Sequence, residues 1–203
     1  MSDGPLPVHS VAEAHLYLMV RPCDACDRGP VAASDDIRHG RDGDKPLLHL
    51  EAICKACGHR VWVIFDVSRC PRGDNGEPTN TSQINATDEP SRILDVGQWL
   101  VLFQVILTAA SKEPDRIEAR RLGYEAAQCL EEALKFYADN DAPPADALFT
   151  PRSRRRFEQN PESFSRGRLI DMRSKLPTLG HMERQITNPA PRAIRKKWWQ
   201  VWK

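Results

Sequence analysis

The residues best suited to chemistry are cysteines. Four of the six form two pairs, Cys23-Asp24-Ala25-Cys26 and Cys54-Lys55-Ala56-Cys57, separated by 27 residues. Two residues between cysteines let both thiolates turn inward on one tight knuckle. Two such knuckles on neighbouring hairpins close a tetrahedral site with Zn–S distances of about 2.3 Å. Zn²⁺ suits the set because it accepts soft thiolates and has no redox chemistry of its own. Gly29 and Gly58 follow their pairs by three residues and one residue. Both are expected to reverse the chain with φ > 0 and aim backbone N–H groups at sulfur. The spacing therefore predicts one structural zinc held by Cys23, Cys26, Cys54 and Cys57. Four thiolates complete the shell and leave no position for a catalytic water.

Three other chemistries use cysteine pairs. A dithiol redox centre needs one exposed pair of low pKa, and the second pair would then be surplus. An iron–sulfur cluster accepts the same four thiolates, and spacing alone does not separate it from zinc. A zinc deaminase reads H-x-E and then P-C-x-x-C. Here Pro22-Cys23 precedes His49-x-Glu51, which is the reverse order, and only two residues part Glu51 from Cys54. His59, two residues after Cys57, could hydrogen-bond a thiolate, but a turn position in solvent is the simpler expectation. Cys129 reads as a small core residue, and Cys70 as a loop thiol.

With a strand on each side of the second pair, Cys23-x-x-Cys26 … Cys54-x-x-Cys57-Gly58 resembles a zinc ribbon over residues 15–67, about a quarter of the chain. The resemblance implies four ligand positions and a small β fold. Zinc ribbons serve nucleic-acid machines, enzymes and protein assemblies alike, so it implies no particular function. Residues 91–203 resemble no family.

Catalytic signatures are missing elsewhere. None of the six histidines forms H-E-x-x-H, and there is no phosphate-cradling glycine loop or G-x-S-x-G elbow. Asp139-Asn140-Asp141 lacks the rest of a calcium loop. Asn80-Thr81-Ser82 and Asn85-Ala86-Thr87 match the glycosylation pattern, which means little without secretion. Whether the chain is an enzyme stays open, with a non-enzyme expected.

Charge offers a second lead. Residues 151–203 carry 14 lysines and arginines against four acids, a net +10. Residues 1–150 carry 15 against 24, a net −9. Such asymmetry suits either an anionic partner or docking of the basic end on the acidic part of the chain. Arg152, Arg154, Arg155 and Arg156 lie within five residues. They would spread round a helix as a solvated face or as forks for phosphate. The end of the sequence, Arg195-Lys196-Lys197-Trp198-Trp199-Gln200-Val201-Trp202-Lys203, places Trp198 and Trp202 one helical turn apart. Trp and Arg are common interface anchors, so this segment either docks on its own core or holds a partner. The ten residues Ile194–Lys203 are short for a membrane-surface helix.

The elements follow from patterning. Leu47–Ile53 and Val61–Val67 read as strands joined by a turn at Cys54–Gly58. His15–Val20 fits a third strand, although Ser10 could start a helix there. Arg38–Lys45 reads as a loop, and the Pro-, Gly- and Asn-rich 68–90 as a polar linker. Ser91–Ser111 and Asp115–Ala138 read as two long helices forming an antiparallel hairpin. The second carries a stripe that includes Ala126, Cys129, Leu130 and Ala133, with Glu118, Arg121, Glu125, Glu132 and Lys135 off it. Thr150-Pro151 and Asn160-Pro161 each resemble a cap followed by proline at the first helical position. The expected fold is α+β: a zinc-ribbon domain (1–67), a linker (68–90), a helical domain (91–177) and an irregular basic, Trp-rich tail (178–203). No signal peptide or spanning segment is apparent, so a cytoplasmic location is expected. The functional expectation is a non-enzymatic interaction or assembly protein whose partner is another protein. A nucleic-acid-binding accessory factor is the alternative.

Overall fold

The computed structural model describes residues 4–73, 78 and 83–178. The fold is mixed α+β, with a four-stranded sheet and five α-helices among these residues. The chain divides into two compact units, Met1–Leu94 and Asp95–Lys203.

The first unit runs β1 (Leu6–Pro7), α1 (Val11–Val20), β2 (Val31–Asp42), β3 (Lys45–Cys54) and β4 (Arg60–Asp66), with sheet order β1-β4-β3-β2. β2, β3 and β4 form an antiparallel meander, and β1 pairs parallel to β4. Alternation sorts the faces. Leu48, Leu50, Ala52, Val63 and Phe65 are buried, while Trp62 and Ile64 point outward and are exposed. The segment around His15 is helical. The Ser10 side chain accepts from the Glu13 N–H at 3.1 Å, which caps α1, and Ala14, Leu16 and Leu18 go into the core.

The expected loop at 38–45 is a correction. Arg38–Asp42 continues β2, which turns at Gly43 and Asp44 into β3. β2 is an edge strand, and its polar side chains meet water, so neither face carries an apolar signal. The register slips between Ala33 and Ile37, where Ser34-Asp35-Asp36 bulges out. The described part of 68–90 lies in the first unit, where Cys70, Ile84 and Asn85 are buried. The Asn85 amide is held within its own turn. It donates to the Glu89 carbonyl at 2.8 Å and accepts from the Thr87 N–H and hydroxyl.

The second unit holds α2 (Val96–Lys112), α3 (Arg116–Leu134), α4 (Pro151–Gln159) and α5 (Arg166–Ser174). α2 and α3 pack on each other, α4 packs on α2, and α5 packs on α3. Asp95 organises one end. Its fully buried carboxylate accepts from the Gln98 N–H, the Thr150 N–H and hydroxyl, and the Ser153 hydroxyl, at 2.6–3.0 Å. It therefore caps α2 and ties it to the start of α4. The two helices approach so closely that a Cβ on Gly97 would lie 2.6 Å from the Ser153 Cβ.

Asn160 does not cap a helix. Pro161–Phe164 makes one 3₁₀ turn, and Ser165 caps α5 by accepting from the Arg168 N–H. On α3 the stripe is buried, but Gln128 and Glu132 are buried too, at 4% and 3% exposure. Lys135 donates to Glu132 at 2.6 Å, so one expected surface residue sits inside as a paired group. Leu130 is fully buried. Leu130→Ala should cost about 2–5 kcal/mol, the usual range for truncating a core leucine. Chemical denaturation measures it, and an unchanged midpoint would contradict the burial.

Candidate metal centre

Two short segments of the first unit bring the four cysteines together. Cys23 and Cys26 lie between α1 and β2. Cys54 ends β3, and Cys57 sits in the turn before β4. The backbone solves the same problem twice. The N–H of Asp27 donates to the Cys23 carbonyl and that of Gly58 to the Cys54 carbonyl, both at 2.8 Å. The N–H of Cys23 donates to the Arg28 carbonyl at 2.7 Å, and that of Cys54 to the His59 carbonyl at 2.9 Å. Each knuckle is thus closed by the residues four and five positions after its first cysteine.

The residue at the fourth position is left-handed in both knuckles, with φ 51° at Asp27 and 74° at Gly58. The expected φ > 0 holds for Gly58, although its N–H closes on the Cys54 carbonyl and not on a sulfur. It does not hold for Gly29, because Asp27 makes the reversal and Gly29 instead precedes Pro30 through a cis peptide. Aspartate is one of the few residues with a side chain that tolerate this region. Aligning the two pairs on their first cysteines would have revealed the position, since Asp27 and Gly58 share an offset of four.

The knuckles are also fastened to each other and to the fold. The Lys55 N–H donates to the Pro30 carbonyl at 3.0 Å, and Val31 pairs with Cys54 across β2 and β3. Arg21, at the end of α1, grips both carboxylate oxygens of Asp24 at 2.7 Å and lies over the Tyr17 ring. The Ala25 N–H points at Cys23 Sγ, 3.4 Å away.

All four Sγ atoms lie within 4.8 Å of one another. Cys23 and Cys57 are 3.7 Å apart, and Cys26 and Cys54 3.8 Å. A disulfide would need about 2.05 Å. A tetrahedron of sulfurs about 2.3 Å from a central Zn²⁺ has edges of about 3.8 Å, which the two cross-knuckle distances match, so the donor set suits that ion. The His59 backbone N–H favours the Cys57 thiolate, but hydrogen bonds among the crowded sulfurs oppose it, and Cys57 is pushed up to about 12. A divalent cation reverses that balance and makes four thiolates stable. His59 is exposed and serves the knuckle through its backbone. Among the described residues, no other group of three or more cysteine, histidine and acidic side chains gathers in this way.

The other sequence candidates lie elsewhere. Cys70 and Cys129 are buried, and burial pushes the Cys70 thiol up to about 12 and the Cys129 thiol well above its ordinary value. Arg152, Arg154, Arg155 and Arg156 all lie on α4. Arg154 donates to the Leu148 and Phe149 carbonyls at 2.9 and 3.2 Å, and Arg156 to the Gly97 carbonyl at 3.4 Å, so two of the four brace the helical unit. Arg152 and Arg155 are exposed. Arg195, Lys196, Lys197, Trp198, Trp199 and Trp202 lie outside the described residues.

Comparison with protein-family models, curated proteins and solved structures finds no match for this chain. None of the helices among the described residues is long and apolar enough to cross a membrane.

If the cluster holds a metal, removing it should unfold the knuckles. Cys54→Ser or a strong chelator is expected to lower the melting temperature of the first unit and leave the second unit's transition in place. Two transitions that both ignore the chelator would contradict a structural metal.

Proposed function

We propose that the protein is a zinc-stabilised, non-enzymatic interaction module. In this reading the first unit is a zinc ribbon. The α2–α3 pair of the second is an antiparallel helix hairpin, and the basic, Trp-rich segment at 194–203 anchors a protein partner. The observation that carries it is the donor set. Four cysteine sulfurs fill every position of a tetrahedral shell, so the ion's task is to hold two knuckles rather than to activate a water. The sheet outside the cluster supports a recognition role, since its outer face exposes Trp62 and Ile64 with Arg38 stacked 4.4 Å over the Trp62 ring.

The alternative, a nucleic-acid-binding accessory factor, draws on the exposed Arg152 and Arg155. It is weakened by the two arginines of the same helix that are engaged with backbone carbonyls. Salt separates the readings, because phosphate contacts release counterions and weaken steeply as salt rises, whereas apolar anchors do not.

The test is capture of partners by the full chain with and without nuclease, at low and high salt. Replacing Trp198 and Trp202 by Ala should abolish capture, while nuclease and salt should leave the wild-type result unchanged. Loss of the captured material on nuclease treatment, or on changing Arg195, Lys196 and Lys197 to Gln with the tryptophans intact, would favour the alternative.

A further inference from the structure

We propose that Cys57 is an oxidation site, and that a hydroperoxide joins it to Cys23 in a disulfide that releases the metal. This rests on the zinc reading above and adds which sulfurs react. The four sulfurs are not equivalent. Cys23 and Cys54 are buried at 5% and 2% exposure, Cys26 is half-buried, and Cys57 is exposed. The difference follows from position. Cys57 stands in the β3–β4 turn, where residues 55–60 are all exposed. A small oxidant arriving from water therefore meets one sulfur first, and access governs which thiolate of such a set is oxidised. On the other knuckle, Cys23 Sγ lies 3.7 Å from Cys57 Sγ. Cys26 and Cys54 form the second cross-knuckle pair.

The chemistry balances with hydrogen peroxide as the only co-reactant. Cys57 Sγ attacks one peroxide oxygen; an S–O bond forms, the O–O bond breaks, and the departing hydroxide takes a proton to become water. The Cys23 thiolate then attacks the Cys57 sulfur; an S–S bond forms, the S–O bond breaks, and the second hydroxide leaves as water. The two sulfurs lose two electrons between them, and the peroxide gains them. Cys26 and Cys54 remain as thiolates, and two sulfurs hold a divalent ion far less tightly than four. Cys70 and Cys129 are bystanders, because both are buried.

The test uses the full chain. Its zinc content is measured first, then hydrogen peroxide is added in small excess. Released zinc is followed with a chromogenic chelator, and disulfides are mapped by mass spectrometry of non-reduced peptides. Release is expected to track a Cys23–Cys57 linkage one for one, and dithiothreitol with added zinc should reverse both. A first linkage within either C-x-x-C pair or between Cys26 and Cys54, or zinc retained while cysteines oxidise, would overturn the proposal. Iodoacetamide below stoichiometry supplies a second measurement that needs no variant. Cys57 should be labelled ahead of Cys23, Cys26 and Cys54, and any other order contradicts it. A chain that carries no zinc before peroxide would overturn the metal reading itself, whereas a zinc-loaded chain that keeps its zinc overturns this inference alone.

Discussion

Four sulfurs crowded within 4.8 Å impose the constraint on which the first unit is organised. Uncharged thiols gain little from such proximity, and four bare thiolates would repel one another. A bound cation would make the arrangement favourable for thiolates. The surrounding backbone is consistent with that demand. Both knuckles use the same pair of hydrogen bonds, to the fourth and fifth residues beyond the first cysteine, and both reverse through a left-handed residue at the same offset. β2 and β3 then leave the knuckles already in register, with Val31 opposite Cys54. In a unit whose sheet leaves one face exposed to water, a metal tie would supply stability that apolar burial on a single face provides only in part.

The second unit is organised around a buried carboxylate. Asp95 is a buried charge whose oxygens accept four hydrogen bonds, from α2 and from the start of α4. A buried carboxylate is costly unless it is satisfied, and this one is. It also lies at a helix N-terminus, where the macrodipole favours negative charge. Thr150 and Ser153 are therefore as much a part of the α2 cap as Gln98. The α3–α5 contact is braced similarly, with Arg173 on Glu131 at 2.6 Å.

Much of this was legible in the sequence where the signal was local. The two C-x-x-C pairs located the sulfur cluster. Strands β3 and β4 and the long helices followed from runs of apolar residues, α3 from its period, and Thr150-Pro151 marked the start of α4. What was hidden depended on surroundings that the fold assembles, near in sequence as well as far. Arg38–Asp42 looks like a loop because an edge strand with both faces near water loses its alternation, yet β3 supplies its partners. Glu132 looks like a surface residue because only the folded unit shows its burial beside Lys135. Asp27 was missed because glycine is the usual sign of a reversal, and the nearby Gly29 drew that assignment. The arginine run on α4 reads from the sequence as a solvated face or as forks for phosphate. Two of its members instead reach backbone carbonyls that become neighbours only in the folded unit.

The central claim concerns an ion and its ligands, so X-ray absorption at the zinc edge of the purified chain tests it most directly. The account predicts one zinc per chain with a first shell of four sulfurs at about 2.3 Å and no light scatterer. A shell containing nitrogen or oxygen would contradict it, as would an iron edge in place of zinc or a chain that binds no metal.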